Sequence, residues 1–427
     1  MLKRIITLII FAGVLFSLFS ICVSAFELDD SKAKPDAYYL YNFENDTVMV
    51  AYNTDKVISA SSTVKIMTAC IALESGVANN KIVTITDAML KGVSGRFMGL
   101  TSGDKMTFED LLYSMICSSF NDATHAIAFT VSGSLDGYLN KMNEKAQEIG
   151  MIDTYYADIT GISDASKTTL NDLIKLVKYV SQNEDFLKIT STKSYQLSVF
   201  ATCEYNRINN RSSLLSSYRG LHNFNVGSSN NGESAVSYYN NGKLSFVCIV
   251  MNAKAKDDDE TNYAEQYTKE LLNHGLYDYS SKTLLSKDTV IDSLPVKYST
   301  SGEEVGLYLQ SDIYQYLPKD SSTDGEYSYT YYLYDKELKA PLKSGEEIGV
   351  LIVSRNGRYV ASEKIIVKKT VGRNEFLYFM DILKNYVTSR AFFISLISVI
   401  VISVVYYLYK QELLNKMYRR RIKNKKR

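Results

Sequence analysis

Tryptophan is absent from the 427-residue chain, and proline occurs only 4 times. So few prolines exclude rigid proline-rich linkers between domains. Cysteine is scarce as well, with 5 in all. Cys22 falls in a leading apolar segment, while Cys70, Cys117, Cys203 and Cys248 are widely spaced with no Cys-x-x-Cys pair. That spacing indicates neither a zinc site nor a disulfide framework. Cys70, Cys117 and Cys248 each sit in an apolar run and read as small core residues, although an exported chain could pair its cysteines. An excess of charge of one sign is missing too. The formal net charge is +1, which gives no support for a nucleic-acid partner. What is present is the composition of a folded protein, 46% hydrophobic and 22% charged with 34 tyrosines, at a length that suggests two or three domains.

Both ends carry hydrophobic segments. Lys3 and Arg4 precede the apolar stretch Ile5–Cys22, and Val23-Ser24-Ala25 offers small residues for cleavage. Residues 1–25 therefore read as a secretory signal peptide with a mature start near Phe26; an uncleaved anchor is the alternative. Near the other end, Ala391–Tyr409 contains no charged residue and has about the 20-residue length that a helix needs to cross a bilayer core. Tyr406, Tyr407 and Tyr409 cluster at one end of it, as in an interfacial aromatic belt. The tail, residues 410–427, is basic through Lys410, Lys416, Arg419, Arg420, Arg421, Lys423, Lys425, Lys426 and Arg427. The positive-inside rule places that tail in the cytoplasm and the large body outside the cell membrane.

Between the ends, Ala37–Asn42 and Thr47–Tyr52 read as a hairpin across Glu44-Asn45-Asp46. A helix spans the region of Ser62 and stops near Glu74-Ser75-Gly76. Ile82–Ile85 reads as a short strand, and Gly92–Asp104, with four glycines, as a loop. Thr107 is the expected N-cap of the next helix. Further helices are expected at Ala123–Val131, Leu135–Gly150, Leu170–Gln182 and Asn262–Leu272, and a strongly apolar strand at Leu244–Met251 after an Asn240-Asn241-Gly242 turn. From about residue 280 the pattern changes to short strands at Val296–Tyr298, Glu304–Leu309, Tyr327–Tyr334, Ile348–Val353 and Tyr359–Val367, which suggests a small all-β domain. Residues 371–390 form a partly amphipathic connector.

The residues with chemical potential cluster in two short stretches. In Ser62-Thr-Val-Lys65, a serine and a lysine three apart on a helix share a face. A serine hydroxyl is a weak nucleophile until a base activates it. The apolar run Ile66–Leu73 suits a buried helix, and burial lowers a lysine's pKa enough for it to be that base. Alone, Ser-x-x-Lys is a common coincidence. The second stretch is Ser119-Phe120-Asn121, where a serine could relay a proton and an asparagine could orient the lysine or bind a substrate amide. The alternative is that Ser119 or Asn121 only caps the following helix.

Together these stretches resemble the low-molecular-mass D-alanyl-D-alanine carboxypeptidases of the penicillin-binding, serine β-lactamase-like superfamily. Ser61-Ser62-Thr63-Val64-Lys65-Ile66-Met67-Thr68-Ala69 is similar to the family's nucleophile segment. Asp110-Leu111-Leu112-Tyr113 followed by Ser119-Phe120-Asn121-Asp122-Ala123 is similar to its second motif. Met98-Gly99-Leu100 and Gly103-Asp104 resemble the loop between them, and Ala340-Pro341-Leu342-Lys343-Ser344-Gly345 with Ile348-Gly349 resembles its C-terminal β-domain. The resemblance runs from about Asp36 to Val367. It implies an α/β (α+β) transpeptidase-like catalytic domain at residues 26–278, a small β domain at 279–370 and, in this chain, a transmembrane helix at 391–409. It further implies that Ser62 forms an acyl-enzyme with a peptidoglycan stem peptide, with Lys65 as general base, Ser119 as proton relay and Asn121 positioning substrate or lysine. The Ser62 backbone N–H would belong to the oxyanion hole. β-Lactams are the implied covalent inhibitors, and neither metal nor cofactor is required.

The chain departs from the family at its third motif, Lys-Thr-Gly, whose cation binds the substrate carboxylate. Counting from Tyr218-Arg219-Gly220 lands on Asn225-Val226-Gly227, where only the glycine survives. A second register puts His222 at the lysine position. The segment Ala157–Ile162 also departs from the family's Asn-Pro-x-Gly-Leu. Two readings follow: a serine D-Ala-D-Ala carboxypeptidase acting in cell-wall remodelling with a relaxed third motif, or a catalytically impaired, membrane-tethered protein that binds peptidoglycan or a partner.

Overall fold

The computed structural model describes Phe26 and residues 28–425, apart from residues 44–45, 199–204, 257–260, 301, 323–326 and 356. The expected signal peptide, the turn residues Glu44 and Asn45, Cys203 and the final Lys426 and Arg427 lie outside the described residues. The chain divides into two compact units, one up to Ser280 and one from Ser281 onward.

The first unit is built on an antiparallel sheet. Its main strands are β1 (Ala37–Asn42), β2 (Thr47–Tyr52), β3 (Leu221–Ser229), β4 (Gly232–Asn240) and β5 (Ser245–Ala255), in the order β3-β4-β5-β1-β2, and the two residues Ala33–Lys34 pair with the end of β5. β5 is apolar without alternation because it is covered on both faces. Val247, Ile249 and Met251 join the main core with Val64, Ile66 and Met67. On the other face Phe246 and Leu40 approach a helix at Gly275, where even a methyl group would lie 3.6 and 3.4 Å from them. The helices of eight or more residues are α1 (Val64–Glu74), α2 (Phe108–Ser118), α3 (Asn121–Ser132), α4 (Leu135–Glu148), α5 (Leu170–Val180), α6 (Glu184–Ser191) and α7 (Tyr263–Tyr277). α1 is buried on every side from Val64 to Ala72, as expected of a helix that is apolar all round. It is entered through a tight 3-10 turn at Ser61–Thr63. Thr107 caps α2 through a capping box with Asp110. α6 was not legible in the sequence; Asn183 caps it by accepting from the Phe186 N–H at 2.9 Å. Cys70, Cys117 and Cys248 are free and buried.

In the second unit, β6 (Asp292–Pro295), β7 (Glu304–Leu309), β8 (Tyr327–Leu333), β9 (Glu347–Arg355) and β10 (Arg358–Val367) form an antiparallel sheet in the order β6-β7-β10-β9-β8. Leu307, Leu309, Leu351, Val353, Ile365 and Val367 form its core. The expected strand at Val296–Tyr298 is not formed: Lys297 makes a lone bridge to Lys339, and Tyr298 takes a left-handed φ of 64° that ends any extended run. A strand at Ile313–Pro318 appears instead.

The connector is helical. Asn374 caps α8 (Glu375–Val387), and α9 (Arg390–Lys425) follows. Asp381 of α8 accepts from Tyr298 and Lys297. The opposite face exposes Phe376, Phe379, Met380, Leu383, Tyr386 and Val387. Within Arg390–Met417 of α9, an 18-residue stretch has a mean hydropathy of 2.5 and none of that stretch is buried, so the helix is long and apolar enough to cross a membrane.

Candidate active site

The turn that carries Ser62 is held by a buried polar net against backbone strain. Ser61 is left-handed at φ 48°. Its hydroxyl donates to Asn252 Oδ1 at 2.7 Å. Asn252 is itself left-handed, at φ 55°. Its backbone N–H donates to Ser234 Oγ at 3.0 Å, and its side-chain amide donates to Asp36 at 3.1 Å and to the Ser59 carbonyl at 3.3 Å. A non-glycine residue in this region costs on the order of 1–2 kcal/mol, and the satisfied net offsets that cost. The result is that Ser62 sits at the N-terminal end of α1, where helix N–H groups favour developing negative charge.

Ser62 faces β3. Its Oγ accepts from Asn225 Nδ2 at 2.9 Å. A Cβ on Gly227 would lie 2.2 Å from that same Oγ. Asn225 and Gly227, two apart on β3, share the face that meets Ser62, and β3 bulges just before them at Phe224, between Asn223, opposite Ser237, and Asn225, opposite Val236. Phe224 turns into the core against Phe186 and Tyr238. His222 lies elsewhere: its Nδ1 pairs with the Leu187 carbonyl at 3.0 Å, its ring lies 5.7 Å from that of Tyr238, and burial lowers its pKa.

Lys65, one turn into the helix from Ser62, is 6% exposed. Burial pushes its pKa from the ordinary 10.5 down to about 7, with Asp158 opposing the fall and Arg211 adding to it. The amine donates to the Thr160 carbonyl at 2.7 Å.

Ser119 follows α2 in the left-handed region, at φ 60° and ψ 34°. The following helix starts at Asn121 rather than Ala123, with Phe120 at the cap position and no side-chain cap. Neither side chain is therefore spent on capping the following helix, although the Ser119 backbone N–H closes α2 on the Ser114 carbonyl. Asn121 Nδ2 donates to the Ser94 carbonyl at 2.6 Å, while its Oδ1 is buried with no partner among the described residues. The glycine-bearing loop is strapped onto this motif. Asp122 accepts from the N–H groups of Met98, Gly99 and Leu100, and Arg96 Nε donates to the Ser118 carbonyl at 2.8 Å.

Ser62, Asn225 and Gly227 thus meet, Lys65 lies one turn from Ser62, Ser119 and Asn121 stand at the junction of α2 and α3, and His222 belongs to an aromatic cluster beside α6. No cluster of His, Cys, Asp or Glu suited to a metal occurs among the described residues.

The profile of the D-alanyl-D-alanine carboxypeptidase family matches residues 25–282. The chain belongs to this family. The C-terminal domain of penicillin-binding protein 5 matches residues 279–373. Among individual carboxypeptidases, DacF of Bacillus subtilis is 23% identical over 79% of this chain and 86% of its own length. DacA of Haemophilus influenzae is 26% identical over 87% and 95%. Penicillin-binding protein 5 of Haemophilus influenzae shares the fold at a TM-score of 0.57, with 23% identity over 81% of this chain and all of that one. The family makes this chain a serine D-Ala-D-Ala carboxypeptidase of the penicillin-binding class with a mixed α/β catalytic fold and a C-terminal β domain. It does not favour the reading as an impaired binding protein.

Three groups that hold the segments around this carboxypeptidase's candidate site residues escaped the sequence reading. Asn252 and Asp122 act through nets that only the fold assembles. Asp158 stands in the segment that departs from the family pattern, and that departure is the one signal that pointed to it.

Proposed function

We propose that Ser62 attacks the carbonyl of the penultimate D-alanine of a peptidoglycan stem peptide and releases the terminal D-alanine through an acyl-enzyme. The observation that carries this reading is the buried Lys65, pushed to about 7 one turn from the serine. Lys65 takes the hydroxyl proton as the Oγ–carbonyl bond forms. Ser119 passes a proton to the departing amine, and Asn121 Oδ1 accepts an N–H of the bound peptide. The Ser62 N–H, at the helix N-terminus, steadies the oxyanion. Water then adds to the acyl carbonyl and frees the serine. The same attack on a strained lactam gives a stable penicilloyl ester. Release of D-alanine from a pentapeptide, measured with Ser62→Ala as control, tests the reading; equal release by both proteins contradicts it.

At the third motif, Asn225 and Val226 offer the substrate carboxylate no cation and no hydroxyl. Charge-assisted hydrogen bonds are roughly twice as strong as neutral ones, so carboxylate binding is weakened. Asn225→Lys is expected to raise kcat/KM for the pentapeptide by about tenfold, the equivalent of one such gain. An unchanged or lower value refutes the register.

The body is proposed to lie outside the cell membrane, with α9 crossing it and the basic tail inside. The apolar face of α8 then rests at the lipid interface. Because the chain has no tryptophan, Phe379→Trp creates a single reporter. In nanodiscs its emission should shift to the blue and be quenched by lipids brominated near the headgroup. Quenching by aqueous acrylamide alone contradicts the placement.

A further inference from the structure

Asp158 gathers its own loop around one carboxylate. Oδ2 accepts from the N–H groups of Thr160 at 3.3 Å, Gly161 at 2.7 Å and Ile162 at 2.9 Å, and from Thr160 Oγ1 at 2.8 Å. Oδ1 accepts from Ser166 Oγ at 2.6 Å. The loop so formed touches both halves of the reaction centre. The Thr160 carbonyl receives the Lys65 amine at 2.7 Å. Gly161, at φ 82°, lies so close to the nucleophile turn that a Cβ there would be 1.8 Å from the Ser61 carbonyl oxygen and 2.9 Å from the Ser62 nitrogen.

We propose that Asp158 is a positioning residue for acylation, fixing the Lys65 amine through the Thr160 carbonyl and supplying the negative charge that faces it. This rests on the reading of Lys65 as the general base. A neutral asparagine could accept hydrogen bonds at one oxygen only and would bring no charge. The ionisable groups acting on Lys65 come from three elements. Asp158 in the loop raises its basicity, Arg211 in the segment before the turn at Ser213–Ser216 lowers it, and His125 on α3 feels both Lys65 and Asp158. The His125 pKa is itself lowered, chiefly by burial. At neutral pH, Asp158 therefore stands against the burial and the Arg211 charge. It keeps Lys65 basic enough to take a serine proton, while burial keeps it neutral enough to be free of one.

The test is the pH dependence of the second-order rate constant for acylation by a fluorescent penicillin, using the full chain in detergent. Asp158→Asn should move the acid limb to lower pH by about one unit, the lower end of the effect of a nearby opposite charge, and reduce the plateau rate. Ser166→Ala removes a hydrogen bond to the same carboxylate but keeps the charge, so its limb should stay in place. Asp158→Glu keeps the charge on a longer arm; its plateau should fall while the limb holds. An unmoved or upward-shifted limb in Asp158→Asn overturns the proposal. If that variant does not fold, a displaced limb in Asp158→Glu or Ser166→Ala overturns it equally. A wild-type chain that is not acylated at all refutes the general-base reading instead.

Discussion

Gly227→Ala is expected to lower the acylation rate constant by at least about 100-fold, because displacing a reacting atom by an ångström costs about that much. The added methyl would sit 2.2 Å from Ser62 Oγ and 2.5 Å from Ser62 Cβ. Neither the strand nor the serine can keep its place. If the serine rotates, it leaves the Asn225 amide; if β3 retreats, the cleft loses the wall that holds substrate against the nucleophile. The stability cost should be that of a single overpacked site, about 1–3 kcal/mol, so the variant remains folded and the loss is read on an intact protein. Stopped-flow labelling with a fluorescent penicillin measures it. A rate within threefold of wild type would show that Gly227 does not wall the nucleophile.

Lys65→Arg should be more damaging still. A guanidinium keeps its proton in any protein environment, and a general base contributes about 10²–10⁴-fold. Loss of at least about 1,000-fold is therefore expected, with no recovery at high pH. The wild type should behave differently. With its pKa lowered to about 7, half of the Lys65 amines are neutral at pH 7, against roughly one in 10³–10⁴ for an ordinary lysine. Only the neutral form accepts the serine proton. Acylation should thus be nearly flat above pH 8 and fall about tenfold per unit below pH 6. A flat profile down to pH 5 would remove Lys65 from the base role.

What could be read from the sequence, and what could not, follows from the range of the forces involved. The helix of Ser62 and Lys65 was legible because Val64–Ala72 is nearly all apolar, which only a central helix tolerates. β5 was legible for the same reason, and Thr107 with Asp110 announced the start of α2. The Ser62 and Ser119 motifs were legible as family segments through their resemblance, and the family itself is shown. The register of β3 was legible as well: counting on from Tyr218-Arg219-Gly220 lands on Asn225 and Gly227, the two residues of β3 beside Ser62. The bulge between Asn223 and Asn225 was not, because nothing in His222–Gly227 marks Phe224 as an extra residue. The left-handed pair Ser61 and Asn252 was hidden because its partners lie far apart in sequence. Asp158 was visible only as a departure from pattern, since the amides it gathers are backbone groups that every sequence carries. The expected strand at Val296–Tyr298 failed because apolar content does not reveal a left-handed tyrosine.

The most direct measurement of the account is the site of covalent modification. After incubation with benzylpenicillin, intact-protein mass spectrometry should show one penicilloyl group per chain. Peptide mapping should place it on Ser62, and Ser62→Ala should carry none. No adduct on the wild type, or an adduct that persists in Ser62→Ala, would contradict the assignment of Ser62 as the acylated nucleophile.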